Sequence, residues 1–230
     1  MKALLIMILM LTSSIALANK QIKLTTYNTV NLRGAVSGQT VTKWMLDVKR
    51  AVVLRRSKSY PIYLVLNTPG GGIETGLAFI EFVKTIPNVH TISIYAASMG
   101  SAIVQHLPGK RYITDNGVLM FHRARGTFKG QFNNGEVEEY LKFAKKRVTI
   151  MEDRSAKRMK ISLKTYRSKV VNEWWMTARD AMKQNAADAI VDIKCTVALI
   201  NRKIVSTQQS IFGASRQIFS ACPLFRSPIK

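Results

Sequence analysis

Three stretches of this 230-residue chain hold residue types that could act together on an electrophile. The first is Tyr95-Ala96-Ala97-Ser98-Met99-Gly100, where an apolar strand pattern (Ile92, Ile94) gives way to small residues and then to a helical pattern, Ala102-Ile103-Val104. A strand turning sharply into a helix leaves the turn side chain at the sheet edge. It also aims free N–H groups and the positive end of the helix dipole at the same point. Ser98 is then either a nucleophile, as in a nucleophile elbow without the flanking glycines, or an ordinary helix N-cap. A serine nucleophile needs a base within hydrogen-bond reach, and the chain has three histidines. His90 lies at the far end of the same strand, about 26 Å away. His106 lies down the following helix, about 12 Å away along its axis. His122, which ends the separate strand pattern Val118–Phe121, is left as the base by elimination; its other reading is a structural histidine. The third stretch, Asn67-Thr68-Pro69-Gly70-Gly71-Gly72, is a turn whose glycines let backbone N–H groups point at an anion, as an oxyanion hole requires. It reads equally as a plain strand-to-helix turn. It lacks the Lys and Ser/Thr of a phosphate-binding loop and the spacing of a dinucleotide fingerprint, so no cofactor is expected.

The elements that must position these residues follow from periodicity. Thr29–Leu32 reads as a short strand, and Val41, Trp44, Val48, Ala51 and Val52 predict a helix over Thr40–Leu54. Pro61–Leu66 is a continuous apolar run, as in a strand buried on both faces. A helix follows with Ile73, Leu77, Ile80 and Val83 on one side; Pro87-Asn88 breaks it before the strand into Ser98. The next helix stops near Pro108-Gly109, and Arg111–Ile113 and Val118–Phe121 read as two short strands around an Asp115-Asn116-Gly117 turn. Val137, Tyr140, Leu141, Ala144, Val148 and Met151 mark a long helix to about Met159. Leu163–Val171 is helical, Thr177 caps a helix through Ala187, and Ala189–Ile193 is a last strand. Alternating strands and helices at this spacing predict an α/β fold with a largely parallel sheet, its loops of interest at the C-terminal edge.

Residues 1–18 read as a secretory signal peptide: Met1-Lys2, the apolar run Ala3–Leu11, and the A-x-A site Ala16-Leu17-Ala18. The mature protein is therefore expected to be exported, periplasmic or secreted, and to begin near Asn19. Its formal net charge of +22 favours anionic surfaces such as envelope polymers, but reads better as a solvated, colloidally stabilising face. The basic residues lack the interleaved aromatic platforms of a nucleic-acid module, so no specific nucleic-acid partner is expected. Cys195 and Cys222, without a nearby histidine, are too few for a zinc site, and no metal is expected. In an oxidising compartment they could pair and pin the tail of residues 195–230, worth roughly 3 kcal/mol.

At these residues the chain resembles the Clp protease proteolytic subunit family, within the wider crotonase-like superfamily. Asn67-Thr68-Pro69-Gly70-Gly71 is similar to its N-S-P-G-G motif, Ala96–Gly100 matches its A-A-S-M-G nucleophile motif, and Val118–His122 resembles its V-M-I-H. Thr177–Ala181 resembles the S-A-x-E-A helix start. The motifs keep the family's order over residues 29–194, and the matching domain is taken as 19–194. The resemblance implies repeated ββα units around a largely parallel sheet, with a protruding handle helix at about 135–159 through which subunits form homo-oligomeric rings. It implies Ser98 as nucleophile, His122 as general base, and the amides of Gly71 and Met99 as the oxyanion hole, with Gly72 the alternative to Gly71. Arg125, Gly126 and Thr127 would lie where a peptide substrate adds as a strand. The family's third catalytic residue is usually Asp; ungapped matching puts Glu173 there, with Asn172 beside it, and Glu173 also reads as a helix-start or salt-bridge carboxylate.

The expected protein is an exported serine endopeptidase that cuts peptides or unfolded protein without ATP. Two rivals are a catalytically silent ring-forming scaffold, favoured if Glu173 turns away from His122, and a basic envelope-binding protein.

Overall fold

The computed structural model describes residues 20–126, 131, 133–210 and 213–225. The leader assigned to residues 1–18 and the substrate-strand residue Thr127 lie outside them.

The strands are β1 (Lys20–Leu24), β2 (Thr29–Arg33), β3 (Ile62–Thr68), β4 (Val89–Ala97), β5 (Arg111–His122), β6 (Glu173–Thr177), β7 (Ala189–Cys195), β8 (Lys203–Ser210) and β9 (Gly213–Ser220). The helices are α1 (Gly38–Leu54), α2 (Ile73–Lys84), α3 (Met99–His106), α4 (Asn134–Arg158), α5 (Leu163–Lys169), α6 (Ala178–Lys183) and α7 (Val197–Asn201). Six strands run parallel in the order β1-β7-β5-β4-β3-β2, and β6 adds to β5 antiparallel. The chain is thus an α/β protein with a mostly parallel central sheet.

Alternation in the buried strands decides which core each side chain enters. Leu64 and Leu66 of β3 face a core shared with Trp44, Phe79 and Ile103, from α1, α2 and α3. Val65, between them, faces the second core with Ile22, Ile92 and Tyr112. Burial on both faces explains why β3 is an unbroken apolar run.

One sequence expectation is corrected, and regular structure also continues past Cys195. Arg111–Ile113 and Val118–Phe121 are halves of one strand, both pairing parallel with β4, and Asp115-Asn116-Gly117 is an excursion from it. Because the chain resumes in the same direction, no hairpin forms. The first half of β5 pairs β7 and the second half pairs β6. Gly117 allows the excursion: a Cβ there would lie 2.6 Å from the Ser93 carbonyl oxygen and 2.8 Å from that of Thr114. The stretch after Cys195, which carries no strong periodicity, also has regular structure, α7 and the β8–β9 hairpin. Leu199, Ala221 and Cys222 pack it onto the second core, and a Cys195–Cys222 disulfide closes it. Closing a loop of that length stabilises by about 3–4 kcal/mol in the chain-entropy account. β1, in which Ile22 and Leu24 form too short an alternation to mark a strand, is held by register pairing with Val191–Cys195.

The start of β5, the strand that carries His122, is tied by a buried arginine. Arg111 donates to Gln105 Oε1 at 2.6 Å, to the Asn185 carbonyl at 2.7 Å and to Asp188 Oδ1 at 2.6 Å. Its backbone N–H donates to Asp188 Oδ2 at 2.8 Å. Burial pushes the Asp188 carboxyl up, but the Arg111 hydrogen bonds and charge outweigh this and hold it below its ordinary value. A carboxylate depressed in the folded state stabilises fully above its unfolded pKa and loses that contribution as pH falls through the folded one. The stability gap between parent and Asp188→Asn is therefore expected to be constant near neutrality and to close below pH 3.8, the ordinary value. Urea melts of both proteins across that range check it; a gap that does not narrow at all on acidification would rule the linkage out.

Candidate active site

The C-terminal ends of β3, β4 and β5 lie side by side, so the Gly70–Gly72 turn, Ser98 and His122 reach one edge of the sheet. A bulge in β4 aids the delivery. Both neighbouring strands skip Ile94 in register, with Ser93 and Tyr95 opposite Leu66 and Asn67 on β3. The extra residue inverts the alternation: Ile92 and Ile94 face the second core, whereas Ala96 faces the helix-side core. Bulges re-aim side chains in this way next to active sites.

Ser98 has φ 55° and ψ −121°, a conformation that costs a residue with a side chain about 1–3 kcal/mol. Its N–H donates to the Met120 carbonyl at 2.8 Å, and its carbonyl accepts from the Ala102 N–H at 3.1 Å. Next to it the Ser101 hydroxyl donates to the Ala96 carbonyl at 2.6 Å and accepts from the Met120 N–H at 3.2 Å, joining the ends of β4 and β5. Ser98 occupies the N-cap position of α3, yet its hydroxyl makes no capping hydrogen bond. Instead Ser98 Oγ lies 2.6 Å from His122 Nε2. For Nε2 to accept the serine proton, Nδ1 must carry the ring hydrogen. That Nδ1 is buried and has no partner among the described residues.

Glu173 was expected to be that partner, and here the structure differs. It stands directly across the β5–β6 pair from His122 in register. Its carboxylate, however, accepts from Trp175 Nε1 at 2.9 Å and pairs with Arg125 at 3.6 Å. The half-exposed carboxylate is drawn to a cation and an indole N–H on its solvent side, so it does not orient His122 in this conformation. Directly opposed residues of an antiparallel pair have Cβ atoms about 4.5–5.5 Å apart, so a side-chain rotation spans the gap.

The glycine turn is fixed by Val36, whose N–H donates to the Gly70 carbonyl at 2.8 Å and whose carbonyl accepts from the Gly72 N–H at 2.8 Å. Gly72 is thereby committed, while the Gly71 N–H has no acceptor among the described residues. The Met99 N–H, first in α3, is in the same state, as helix N-terminal amides are. The close fit depends on missing side chains: a Cβ on Gly70 would lie 2.6 Å from Ser98 Cβ and 2.8 Å from Met99 N. Gly71, Ser98, Met99, His122, Arg125 and Tyr166 line one cavity of about 190 Å³. Arg125 is thus at the site but bound to Glu173, and Gly126 is exposed, a Cβ added there meeting nothing within 4 Å among the described residues. Val36, Thr68 and Ser101 are the supporting residues that sequence reasoning missed; Thr68 accepts the Gly70 N–H at 3.1 Å. A hydroxyl at position 101 inside an otherwise apolar helical stretch was the one available signal. Among the described residues no cluster could hold a metal ion.

A serine hydrogen-bonded to an imidazole, with two unclaimed amides beside it, is an arrangement for acyl transfer. The family model described as Clp protease matches residues 16–194. The chain belongs to the Clp protease family. It is accordingly a serine-type peptidase. Similar curated proteins include the ATP-dependent Clp protease proteolytic subunits of Streptococcus mutans and Streptococcus suis. Over 138 residues they are 31% and 32% identical, covering 57% of this chain and 68% of theirs. The subunit of Streptococcus uberis is 30% identical over the same span. The Clp protease match ends at Lys194, so α7 and the β8–β9 hairpin lie beyond the family domain.

Proposed function

We propose that this Clp family member is an exported serine endopeptidase that hydrolyses peptide bonds in peptides or unfolded segments through an acyl-enzyme. Ser98 attacks the scissile carbonyl as His122 Nε2 takes its proton, and the amides of Gly71 and Met99 hold the resulting oxyanion. The imidazolium then returns the proton to the leaving amine, and water repeats the sequence to release the acid. The observation that carries this reading is the 2.6 Å Ser98–His122 contact at a strained turn, beside amides with no acceptor among the described residues. Glu173 turned toward Arg125 is the one observation that leans to a silent scaffold, and the geometry of the other four groups outweighs it. The orphaned Nδ1 of His122 also calls for a carboxylate, and Glu173 completes the triad when it leaves Arg125 and Trp175. Glu173→Gln, unable to stabilise an imidazolium, is expected to lower kcat by at least about tenfold. Unchanged turnover would leave the dyad working alone.

Export is supported by the leader-like residues 1–18 and by the Cys195–Cys222 disulfide. The relatives are named for ATP dependence; an exported chain is separated from cytosolic ATP, so we read this one as ATP-independent. Assembly into a ring is supported by α4, whose N-terminal half exposes Tyr140, Leu141 and Phe143 at 50–56%. The deciding experiment is to treat the purified mature protein with a fluorophosphonate probe and an unfolded substrate, without nucleotide. Labelling at Ser98 and cleavage are expected; a folded protein that neither labels nor cuts would reject the reading. Amino-terminal sequencing from a periplasmic fraction checks export, which a start at Met1 would contradict.

A further inference from the structure

A second cavity, larger than the one at Ser98, lies elsewhere in the fold. It measures about 570 Å³ and opens at the free edge of the sheet, between β2, α1 and the C-terminal segment. It shares no lining residue with the Ser98 cavity. Its volume falls within the roughly 300–1,000 Å³ of small-molecule sites. One wall is the loop closed by the Cys195–Cys222 disulfide, which contributes Leu199, Arg202, Ile204, Phe219 and Ala221. This wall lies outside the family domain. It is nevertheless bonded to it: Asn31 Nδ2 donates to the Ala221 carbonyl at 2.7 Å, and Arg202 donates to the Thr26 carbonyl at 3.3 Å.

The lining has three chemical parts. Val30, Trp44, Ala51 and Leu199 form an apolar floor. Lys43, Arg50 and Arg202 bring three positive charges beside the carboxylate of Asp47, while Arg33, also in the lining, is engaged by the Phe225 carbonyl at 2.7 Å and the Phe219 ring. Lys43, Asp47 and Arg50 share one face of α1 by their spacing, and neither cation has an ion pair among the described residues. Burial and the neighbouring Arg50 both hold the Arg202 guanidinium below its ordinary value. The third part is an acceptor without a donor, since Asn31 Oδ1 is buried and has no partner among the described residues. A ligand satisfying all three carries an anionic group for the cations, an N–H for Asn31 and an apolar body for the floor. A short peptide with apolar side chains and a free C-terminal carboxylate has this combination.

We propose that the cavity enclosed by β2, α1 and the disulfide-closed C-terminal loop binds short apolar peptides through their free C-terminal carboxylate. Such peptides are the class that a peptidase releases, and that physiological sense rests on the function proposed above. Binding itself does not, because no catalytic group takes part.

The test is calorimetric titration of the full, oxidised chain with three probes: acetyl-Leu-Leu as the free acid, its C-terminal amide, and decanoate. Saturable binding of one equivalent of the acid is expected, with the amide at least about tenfold weaker for want of charge-assisted contacts. Decanoate, which has no N–H for Asn31, is expected to bind more weakly than the acid. The acid's affinity should fall at least about tenfold in a Lys43→Gln/Arg50→Gln variant, whose two changes lie on an exposed helix face, and should persist in His122→Ala. Equal affinity for acid and amide in the parent would overturn the proposal, whether or not the double variant folds. So would no saturable binding at millimolar acid, or binding lost in His122→Ala, which would place the peptide at the peptidase site. A catalytically inert protein that still binds the acid would separate this site from the function proposed above.

Discussion

Ser98→Ala and His122→Ala are each expected to lower kcat/KM toward a peptide substrate by about 10⁴–10⁶-fold, and the double variant no further than the worse single one. A neutral serine hydroxyl is a poor nucleophile; its reactivity comes from the imidazole that removes the proton as the new bond forms. With Oγ 2.6 Å from Nε2, the two groups act as one unit, so deleting either removes the same step. Neither substitution empties a core. Ser98 Oγ makes no capping bond to α3, and His122 is at the partly exposed end of β5. Thermal midpoints within a few degrees of the parent are therefore expected. Progress curves with a fluorogenic peptide, read beside melting curves, provide the check. A folded single variant retaining activity within tenfold of the parent would dismiss this pair as the reacting groups, and additive losses would show that they act separately.

The second large effect is expected at Gly71. At φ +149° its Cα is pressed against β2's continuation, and an added Cβ would lie 2.4 Å from the Val36 carbonyl oxygen and 2.9 Å from the Val36 nitrogen. Those backbone atoms hold the turn through Gly70 and Gly72, so they cannot move aside while those bonds persist. Gly71→Ala must swing the turn outward and carry the Gly71 N–H away from the place where the oxyanion forms. Loss of one such donor lowers kcat by about 10²–10³-fold. KM is expected to change much less, because the donor is engaged chiefly in the transition state. Gly38→Ala is the control, since a Cβ there meets nothing within 4 Å. Steady-state kinetics on both variants decide the matter: equal kcat values for Gly71→Ala and parent would remove Gly71 from the oxyanion site.

The legible parts of this protein were those with a local physical cause. The period of Val41, Trp44, Val48 and Ala51 announced α1 because a helix buries one stripe, and each of the four is buried. The capping box at Ser37 and Thr40 only moved the start of α1 to Gly38. Three short motifs at strand ends announced the site, since parallel strands bring their C-terminal ends to one edge. The excursion at Asp115–Gly117 was misread as a hairpin because a turn signal marks a bend and says nothing of the direction in which the chain resumes. The β8–β9 hairpin escaped because its strands, Lys203–Ser210 and Gly213–Ser220, are mostly polar and show no clear alternation, although their pairing is local.

By itself the amino-acid order determined the α/β alternation, the glycine turn, and which serine and histidine share an edge, because spacing and chain stiffness limit what neighbours can do. Three matters were decided only by tertiary structure. The Ile94 bulge inverts the alternation before Ser98; Val36 claims Gly72 and leaves Gly71 open; and Arg125 with Trp175 holds Glu173 away from His122. In each, at least one competitor for the partner or the space comes from a distant part of the chain. Such competitions are settled by distance, which a linear sequence does not carry.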